Sequence, residues 1–513
     1  MIVQGRVAAR IVALACLAAI PFAAGAAGIP TAAREAKVAA IFDSAAQSPE
    51  RLRLFLRQMP KGGDLHNHLG GGIYAEDFLR WAAADGLCAA GTALVPPPCP
   101  AGQTIASIIE HQPEAYARLV DAFSTRGWQQ GVGRDTVSGH DQFFATFEKF
   151  GPAARGHNAD AIVLARRAAD DDRLSYLELD HNPTALDNDA LAVPATPLDA
   201  AGLADRYARD LPGIDAVVER ASAEIRADEA KVRAALGCDG PHPEAACAVG
   251  VRYMTYALRA MPPSVVFRQL MLGFALAQKD PRFVGVNIVQ PEDWPVPLRD
   301  YDLHMAMFRF LEGKYPGVHR SLHAGELAPG MVPPADLRDH IAKAIAVGGA
   351  QRIGHGVDIA EEADAAQTMA RMAREGIAVE INLSSNDVIL GVRGAEHPLA
   401  LYRRFGVPFV ISSDDQGVLR GDMTGEYLRA AREQGLRYRD LKTAARASLE
   451  YAFLPGDSLW LAHRPGQPKA ACARSLADAG CRHLAETSEK ARAELLLEQQ
   501  FADFENKMIV DPV

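Results

Sequence analysis

The stretch DLHNHLGG, residues 64–71, places two histidines one residue apart between apolar residues and a glycine run. In a β-strand, residues i and i+2 point to the same face, so the imidazoles of His66 and His68 would converge on one point. Two ligands of a single metal ion need this arrangement. An isolated His-x-His pair is more often two surface or hydrogen-bonded histidines, so the rest of the sequence has to decide between the two interpretations.

Seven further short apolar or β-branched runs follow this first candidate strand, separated by helix-like segments. The eight candidate strands cover residues 63–69, 174–179, 251–258, 283–289, 319–325, 351–359, 377–383 and 407–414. The last six recur at about the length of a βα unit. Amphipathic patterns lie between them, for example over 335–349 and over 362–376, which ends at Gly376. Parallel strands alternating with helices predict an α/β fold, the TIM (β/α)8 barrel.

The N-terminal residues 1–26 are typical of a signal peptide. Arg6 and Arg10 precede a short apolar core that contains Cys16, and small residues allow cleavage after Ala26. The apolar run is shorter than a transmembrane helix requires, and a retained N-terminal anchor is the alternative to cleavage. We therefore expect an exported protein, periplasmic or extracellular.

Two further parts follow this segment. Residues 27–454 form the predicted barrel, whose two longest gaps carry insertions near 84–140 and 183–250. Residues 455–513 combine a loop-rich segment with one long terminal helix, predicted over 485–508 to pack on the barrel.

Cysteine usage fits export. The six cysteines outside the apolar N-terminal core form three local pairs, which are Cys88 with Cys99, Cys238 with Cys247 and Cys472 with Cys481. Six cysteines permit fifteen connectivities, and proximity along the chain favours the local disulfides. A cysteine zinc cluster is disfavoured because no Cys-x-x-Cys spacing occurs.

Composition and charge disfavour two classes of partner. The 513 residues carry a net charge of −10 and no long basic run. Binding to nucleic acid or to an anionic lipid surface is therefore not expected, and once the signal peptide is removed no membrane contact is expected. The sequence leaves the oligomeric state open.

Titratable side chains gather at the carboxyl ends of the candidate strands, where a TIM barrel carries its chemistry. They are His66 and His68 at the first strand, His323 and Glu326 at the fifth, His355 at the sixth, and Asp414 and Asp415 at the eighth. Each alone has an ordinary explanation, such as a helix cap for the two aspartates. Three histidines and one aspartate together suit a borderline metal such as zinc. If the eighth strand stays extended at its end, Asp414 and Asp415 point to opposite sides and only one faces the metal.

Four ordered motifs resemble those of the adenosine deaminase family of the amidohydrolase superfamily. They are MPKGGDLHNHLGG (59–71), SLHAGE (321–326), RIGHGVDI (352–359) and ISSDDQGV (411–418). The lead-in MPKGG, the export signal and the insertions are most similar to the secreted, growth-factor-like branch. The resemblance implies one zinc ion, a small purine nucleoside as ligand, and hydrolysis of adenosine or 2′-deoxyadenosine to inosine and ammonia.

The resemblance also implies roles for single residues. The positions that match the zinc ligands are His66, His68, His323 and Asp414. Glu326 matches the acid that protonates the purine ring nitrogen beside the carbon under attack. His355 matches the residue that orients and helps deprotonate the metal-bound water, and Asp415 matches a carboxylate that contacts the imidazole-ring nitrogen of the purine. The chemistry fits, since zinc lowers the pKa of water to about 7 and a carboxylic acid in a dry pocket can donate a proton.

Two positions depart from the family pattern. Gly70 stands where many members have an aspartate that contacts the primary hydroxyl of the sugar, and Gln290 stands near a glycine whose backbone amide contacts the purine. Both positions belong to the predicted substrate site, so another aminated purine or a modified nucleoside is an alternative substrate. A secreted, metal-bound binding protein without turnover is a further alternative, against which the retention of the seven matched residues weighs.

Two smaller interpretations concern the surroundings of the site. The segment HDQFFATF, 140–147, is more typical of an amphipathic core helix than of a pocket wall. A second metal ion is disfavoured, because the fourth candidate strand, 283–289, lacks the lysine that binuclear relatives commonly use.

Overall fold

The computed structural model describes residues 32–128, 137–473 and 475–512, so the predicted signal peptide lies outside the described residues. An eight-stranded parallel sheet forms its centre, with the strands in chain order. The strands β1 to β8 are Gly62–His68, Leu174–Asp180, Gly250–Leu258, Phe283–Val289, His319–Ala324, Arg352–His355, Ala378–Ile381 and Phe409–Ile411. Each of the eight predicted strands is present.

The chain beyond β8 returns to β1 and nearly closes the sheet into a barrel. The backbone N–H of Asp414 donates to the carbonyl of His66 over 2.9 Å, and that of His68 donates to the carbonyl of Asp414 over 3.3 Å. A parallel bridge thereby joins Asn67 to Asp414. The predicted TIM barrel is confirmed, and its closure fixes the His66–His68 pair beside Asp414 through the backbone.

Helices cover the outside of the barrel. Before β1 and between β1 and β2 they are Ala32–Ala45, Pro49–Gln58, Ala75–Ala84, Ile105–His111, Pro113–Ala122, Gly139–Ala154 and Asn158–Asp171. Between β2 and β6 they are Thr184–Leu191, Leu203–Asp210, Ile214–Ala235, Pro263–Lys279, Pro295–Glu312 and His340–Ala346. After β6 they are Ala365–Glu375, Leu383–Leu390, Leu399–Phe405, Gln416–Leu419, Met423–Glu433, Tyr438–Glu450, Ala479–Thr487 and Glu489–Val510.

The barrel strands are buried on both faces, as expected when helices cover a parallel sheet. β4, for example, is buried along its whole length. Two short antiparallel hairpins lie outside the barrel, Cys88–Ala90 with Ala93–Val95 and Trp460–Leu461 with Arg464–Pro468. Within the described ranges, no helix is both long and apolar enough to cross a membrane.

All three predicted local disulfides are formed. Cys88 pairs with Cys99, Cys238 with Cys247 and Cys472 with Cys481, at sequence separations of 11, 9 and 9 residues. The first two lie in the long connections that follow β1 and β2, and the third joins the segment before the last two helices to the first of these helices, Ala479–Thr487.

The terminal helix predicted over 485–508 is instead two helices that meet at Ser488. This residue has an extended backbone, and its Oγ accepts a hydrogen bond of 3.1 Å from the N–H of Ala491. The same Oγ donates to the carbonyl of Asp457 over 2.6 Å. Serine competes with the helix for backbone hydrogen bonds and favours the N-cap position, which explains the break.

Lys61 anchors the turn that leads into β1. Its side chain is fully buried, and its Nζ donates to the carbonyls of Leu56, Met59 and Asp172 over 2.7, 3.1 and 2.7 Å. Burial lowers the pKa of this ammonium to about 8. The three carbonyls come from the preceding helix, the turn and the residues before β2, so one cation joins three segments at the amino-terminal end of the barrel strands.

We predict that Lys61→Met lowers the free energy of unfolding by about 2–4 kcal/mol, because it leaves buried carbonyls without a donor. Urea unfolding would measure the change. The control is Lys37→Met at an exposed position, where we expect a change within about 0.5 kcal/mol. Equal urea midpoints for the parent and Lys61→Met would contradict the anchoring role.

Candidate active site

Four donor atoms converge at the carboxyl end of the barrel. The Nε2 of His68 lies 3.3 Å from the Nε2 of His66 and 3.2 Å from that of His323. The Oδ1 of Asp414 lies 3.5 Å from the Nε2 of His66 and 3.3 Å from that of His68. Tetrahedral donors at the usual zinc–nitrogen distance of about 2.0–2.1 Å are separated by roughly 3.3 Å, and these four separations match that value.

Hydrogen bonds at the Nδ1 atoms of two of these imidazoles determine where their lone pairs point. The Nδ1 of His66 lies 2.7 Å from Glu380 Oε2, and the Nδ1 of His323 lies 2.9 Å from Asn287 Oδ1. Each Nδ1 therefore carries the proton and donates it, which leaves the Nε2 lone pair facing the cluster. Lone pairs this close repel one another unless a cation lies between them, so the donor chemistry fits a metal ion.

The pKa values of two of the three histidines support the same conclusion. Burial lowers the pKa of His68 to about 4 and that of His323 well below its ordinary value. Burial acts in the same direction on His66, but contacts with Asp414 and Glu380 outweigh it and raise the pKa of His66. A divalent cation reverses this shift, because an imidazole nitrogen that binds metal cannot carry a proton.

Glu380 stays ionised behind His66 because a buried arginine pairs with it. Arg352 Nε donates to Glu380 Oε1 over 2.5 Å, and Arg352 Nη2 donates to Glu178 Oε2 over 2.7 Å. Burial works to raise the pKa of Glu380, but Arg352 and His66 lower it to about 2. The sequence analysis did not identify Glu380 and Asn287 as residues that contact the site histidines. Both are polar residues inside otherwise apolar strands, β7 and β4, and this pattern could have indicated a functional role.

Glu326 faces the cluster as a neutral carboxylic acid. Its Oε1 lies 3.6 Å from His355 Nε2, and burial together with Asp414 raises its pKa to about 8. The backbone N–H groups of Gly325 and Glu326 donate to the carboxylate of Glu292 over 3.2 and 3.0 Å. Gly325 has φ of 71°, and an added Cβ would lie 2.4 Å from Asp358 Oδ1, so only glycine fits this turn.

The end of β8 differs from the extended geometry assumed from the sequence. The strand ends at Ile411, Asp414 has φ of 55°, and Asp415 precedes the helix Gln416–Leu419. Both aspartates line one cavity, while the Oδ1 of Asp414 alone approaches two of the histidines as described above. Burial and Asp414 raise the pKa of Asp415 well above its ordinary value, which favours the protonated form of this carboxyl group.

The cavity beside the cluster has a volume of about 300 Å³. Its lining includes each predicted site residue except His66, namely His68, Gly70, Gln290, His323, Glu326, His355, Asp414 and Asp415. Phe143, Phe144, Phe147 and Trp294 form an aromatic wall. The segment 140–147 thus contributes to the pocket, although the core-helix interpretation was favoured. Among the described lining residues there is no lysine or arginine.

The two positions that depart from the family pattern have distinct geometries. Gln290 has φ of 84°, the left-handed conformation that favours glycine. Its Oε1 accepts from the N–H of Ala260 over 2.9 Å, and its carbonyl accepts from Arg259 Nε over 2.6 Å, which hold it there. Gly70 borders open space, since an added Cβ would meet no atom within 4 Å.

Comparison with known proteins agrees with this geometry. The adenosine deaminase family model matches residues 220–459. Over these residues, slightly less than half of the chain, the sequence is similar to the adenosine deaminase family.

Individual relatives are similar to part of this chain. It is 37% identical over 139 residues to an adenosine deaminase of Serratia proteamaculans, covering 27% of this chain and 39% of the relative. It is also 37% identical over 142 residues to an aminodeoxyfutalosine deaminase of Streptomyces coelicolor, and this match covers 27% of this chain and 33% of the relative. The chain therefore spans about two fifths or less of the length of these relatives.

A solved structure supports the fold over a longer range. An amidohydrolase from Burkholderia ambifaria with bound zinc has a TM-score of 0.52 at 15% identity, covering 90% of this chain and 95% of that one. At this identity the likeness concerns the barrel fold alone.

We predict that His66→Ala loses its metal. Removing one of four converging donors should weaken metal affinity by more than about 100-fold, since residues behind the ligands already contribute about 10–100-fold. Elemental analysis of the purified protein would measure the metal per chain. His157→Ala, outside the cluster, should keep the parent content, whereas a full complement of metal in His66→Ala would disprove the ligand set.

Proposed function

We propose that this protein is a zinc-dependent deaminase that converts adenosine or 2′-deoxyadenosine and water to inosine and ammonia. The observation that carries the proposal is the set of four donor-atom separations of 3.2–3.5 Å that link His66, His68, His323 and Asp414, beside the buried acid Glu326 in an aromatic-walled cavity. The relatives named adenosine deaminase support it.

The residues divide the reaction between metal binding and proton delivery. His66, His68, His323 and Asp414 would hold a zinc ion, which lowers the pKa of a coordinated water to about 7 and so supplies a nucleophile. Attack at the ring carbon that bears the amine places negative charge on the adjacent ring nitrogen. Glu326 is neutral at pH 7, so it can donate its proton to that nitrogen.

The other side of the purine meets a second neutral acid. Asp415 lines the same cavity, and its Oδ1 is buried without a hydrogen-bond partner among the described residues. A protonated Asp415 can donate to a ring nitrogen of the purine, which accepts hydrogen bonds but cannot donate them. The aromatic wall covers the ring and excludes water, which strengthens both hydrogen bonds.

We also propose that the protein is exported and related to the secreted branch of the family. The N-terminal residues 1–26 have the composition of a signal peptide, and three disulfides are typical of an oxidising compartment.

A second candidate substrate is a nucleoside that carries an uncharged substituent on its sugar. Gly70 leaves open space where many family members have an aspartate, and the described part of the pocket wall contributes phenylalanines and neither lysine nor arginine. The aminodeoxyfutalosine deaminase relative is consistent with a substrate other than adenosine. A phosphate group finds no positive partner in the described lining, so nucleotides are disfavoured.

We predict that the purified protein consumes adenosine, seen as a loss of its ultraviolet absorbance, and that a chelator stops the reaction until zinc is restored. A panel of adenosine, 2′-deoxyadenosine, a 5′-alkyl adenosine and AMP separates the candidates. AMP should have a kcat/KM at least about tenfold lower, because its phosphate would be buried beside carboxyl groups. Inactivity toward every aminated purine in the zinc-loaded protein would favour the binding protein without turnover.

We predict that Glu326→Gln lowers kcat by about 10²-fold or more while metal content stays at the parent level. Glutamine keeps the shape and a hydrogen-bond donor but cannot transfer the proton. Steady-state kinetics with metal analysis would measure both quantities, and Glu110→Gln, at an exposed position, is the control. Turnover within a few-fold of the parent would show that the proton comes from another group.

A further inference from the structure

A chain of hydrogen bonds runs from the protein backbone to His355. It begins at the N–H of Leu399, which donates to the Nδ1 of His397 over 3.2 Å. A backbone N–H can only donate, so this Nδ1 must carry a lone pair. His397 is 2% exposed, and burial lowers its pKa to about 4, so the ring is neutral. Its single proton therefore sits on Nε2.

The next link orients an asparagine side chain. The Nε2 of His397 lies 3.0 Å from Asn386 Oδ1, and this oxygen accepts the proton that His397 carries there. The amide of Asn386 is fully buried and cannot turn without losing this bond. Its other end, Nδ2, consequently points away from His397.

The last link reaches the site. Asn386 Nδ2 lies 3.0 Å from the Nδ1 of His355, and Asn382 Nδ2 lies 3.5 Å from the same atom. An amide NH2 group can only donate, so the Nδ1 of His355 accepts. A neutral His355 then has its proton on Nε2. The tautomer of the site histidine is thus set by a peptide group outside the cavity.

The Nε2–H of His355 faces the reaction. This nitrogen is buried and has no hydrogen-bond partner among the described residues. It lies 3.6 Å from Glu326 Oε1 and 3.9 Å from Asp414 Oδ2, between the proposed acid and the proposed metal ligand. A buried donor of this kind is stabilised only when a bound molecule accepts its hydrogen.

We infer that His397 and Asn386 are positioning residues that hold His355 as its Nε2–H tautomer, so that His355 donates a hydrogen bond to the attacking oxygen. The inference depends on the proposed deaminase function. It gives His355 the task of orienting that oxygen and stabilising its negative charge. A ring that already carries its proton on Nε2 cannot accept another there, so the proton that the water loses must pass to an ionised carboxylate, which is either Asp414 or Glu326 after Glu326 has given its own proton to the purine.

The first test reads the tautomer without turnover. In the zinc-loaded protein with ¹⁵N-labelled histidine, two-bond ¹H–¹⁵N correlation spectra distinguish a protonated Nε2 from a protonated Nδ1. Signals of His355 and His397 are assigned by their loss in His355→Gln and in His397→Phe. We expect Nε2–H for both rings, and a His355 protonated on Nδ1 in the parent would overturn the inference.

The second test uses a pair of variants at His397. His397→Phe keeps a ring but removes the hydrogen-bond donor to Asn386. We therefore expect kcat to fall about tenfold or more while KM stays within a few-fold of the parent, because His355 would no longer be held as an oriented donor to the reacting oxygen. His397→Gln keeps an N–H that can reach Asn386, so it should restore kcat to within about threefold of the parent. Metal content and the urea midpoint of each variant show whether it is folded.

The outcomes separate this inference from the proposed function. Equal loss of kcat in both variants, or no loss in either, would contradict the role of the hydrogen bond. If His397→Phe does not fold, the tautomer of His355 in the parent and the kcat of His397→Gln still test the inference. A parent that deaminates no purine would disprove the proposed function, whereas the spectra would report the tautomer regardless.

Discussion

Closure of the barrel is the constraint on which the site depends. The peptide groups of His66, His68 and Asp414 exchange hydrogen bonds of 2.9 and 3.3 Å, which bring the first and last ligand-bearing segments together. The side chains of Asn67 and Ser413, 346 residues apart, add a hydrogen bond of 2.9 Å to the same seam. Because all strands are parallel, their carboxyl ends share one face, and His323 from β5 completes the cluster there.

The carboxyl groups of the site separate into two protonation states. Glu380 and Asp414 lie against imidazoles, and Glu380 also pairs with Arg352, so both remain ionised despite burial. Glu326 and Asp415 are buried next to Asp414, which raises the pKa of both and favours their neutral forms. The ionised pair suits a cation and the neutral pair suits the nitrogen acceptors of a purine. Environment therefore gives one residue type two different functions.

The cavity combines a polar floor with an apolar wall. Acidic side chains and histidines occupy the barrel end, while the phenylalanines of helix Gly139–Ala154 cover it from the insertion between β1 and β2. That insertion is long enough to reach back over the strand ends, and the disulfide Cys88–Cys99 restrains its first part. The barrel thus supplies the chemistry, and the insertion supplies the surface that excludes water.

The sequence by itself determined the strands and the types of ligand, because a His-x-His pair in a strand points to one side and apolar runs recur at the length of a βα unit. Tertiary structure alone decided which groups stand behind those ligands. Glu380 contacts His66 although the two residues lie 314 positions apart in the chain. Asp414 and Gln290 have φ angles of 55° and 84°, which the local conformational preferences of aspartate and glutamine do not predict. Such partners and angles are selected by packing between distant strands, which leaves no periodic pattern along the chain.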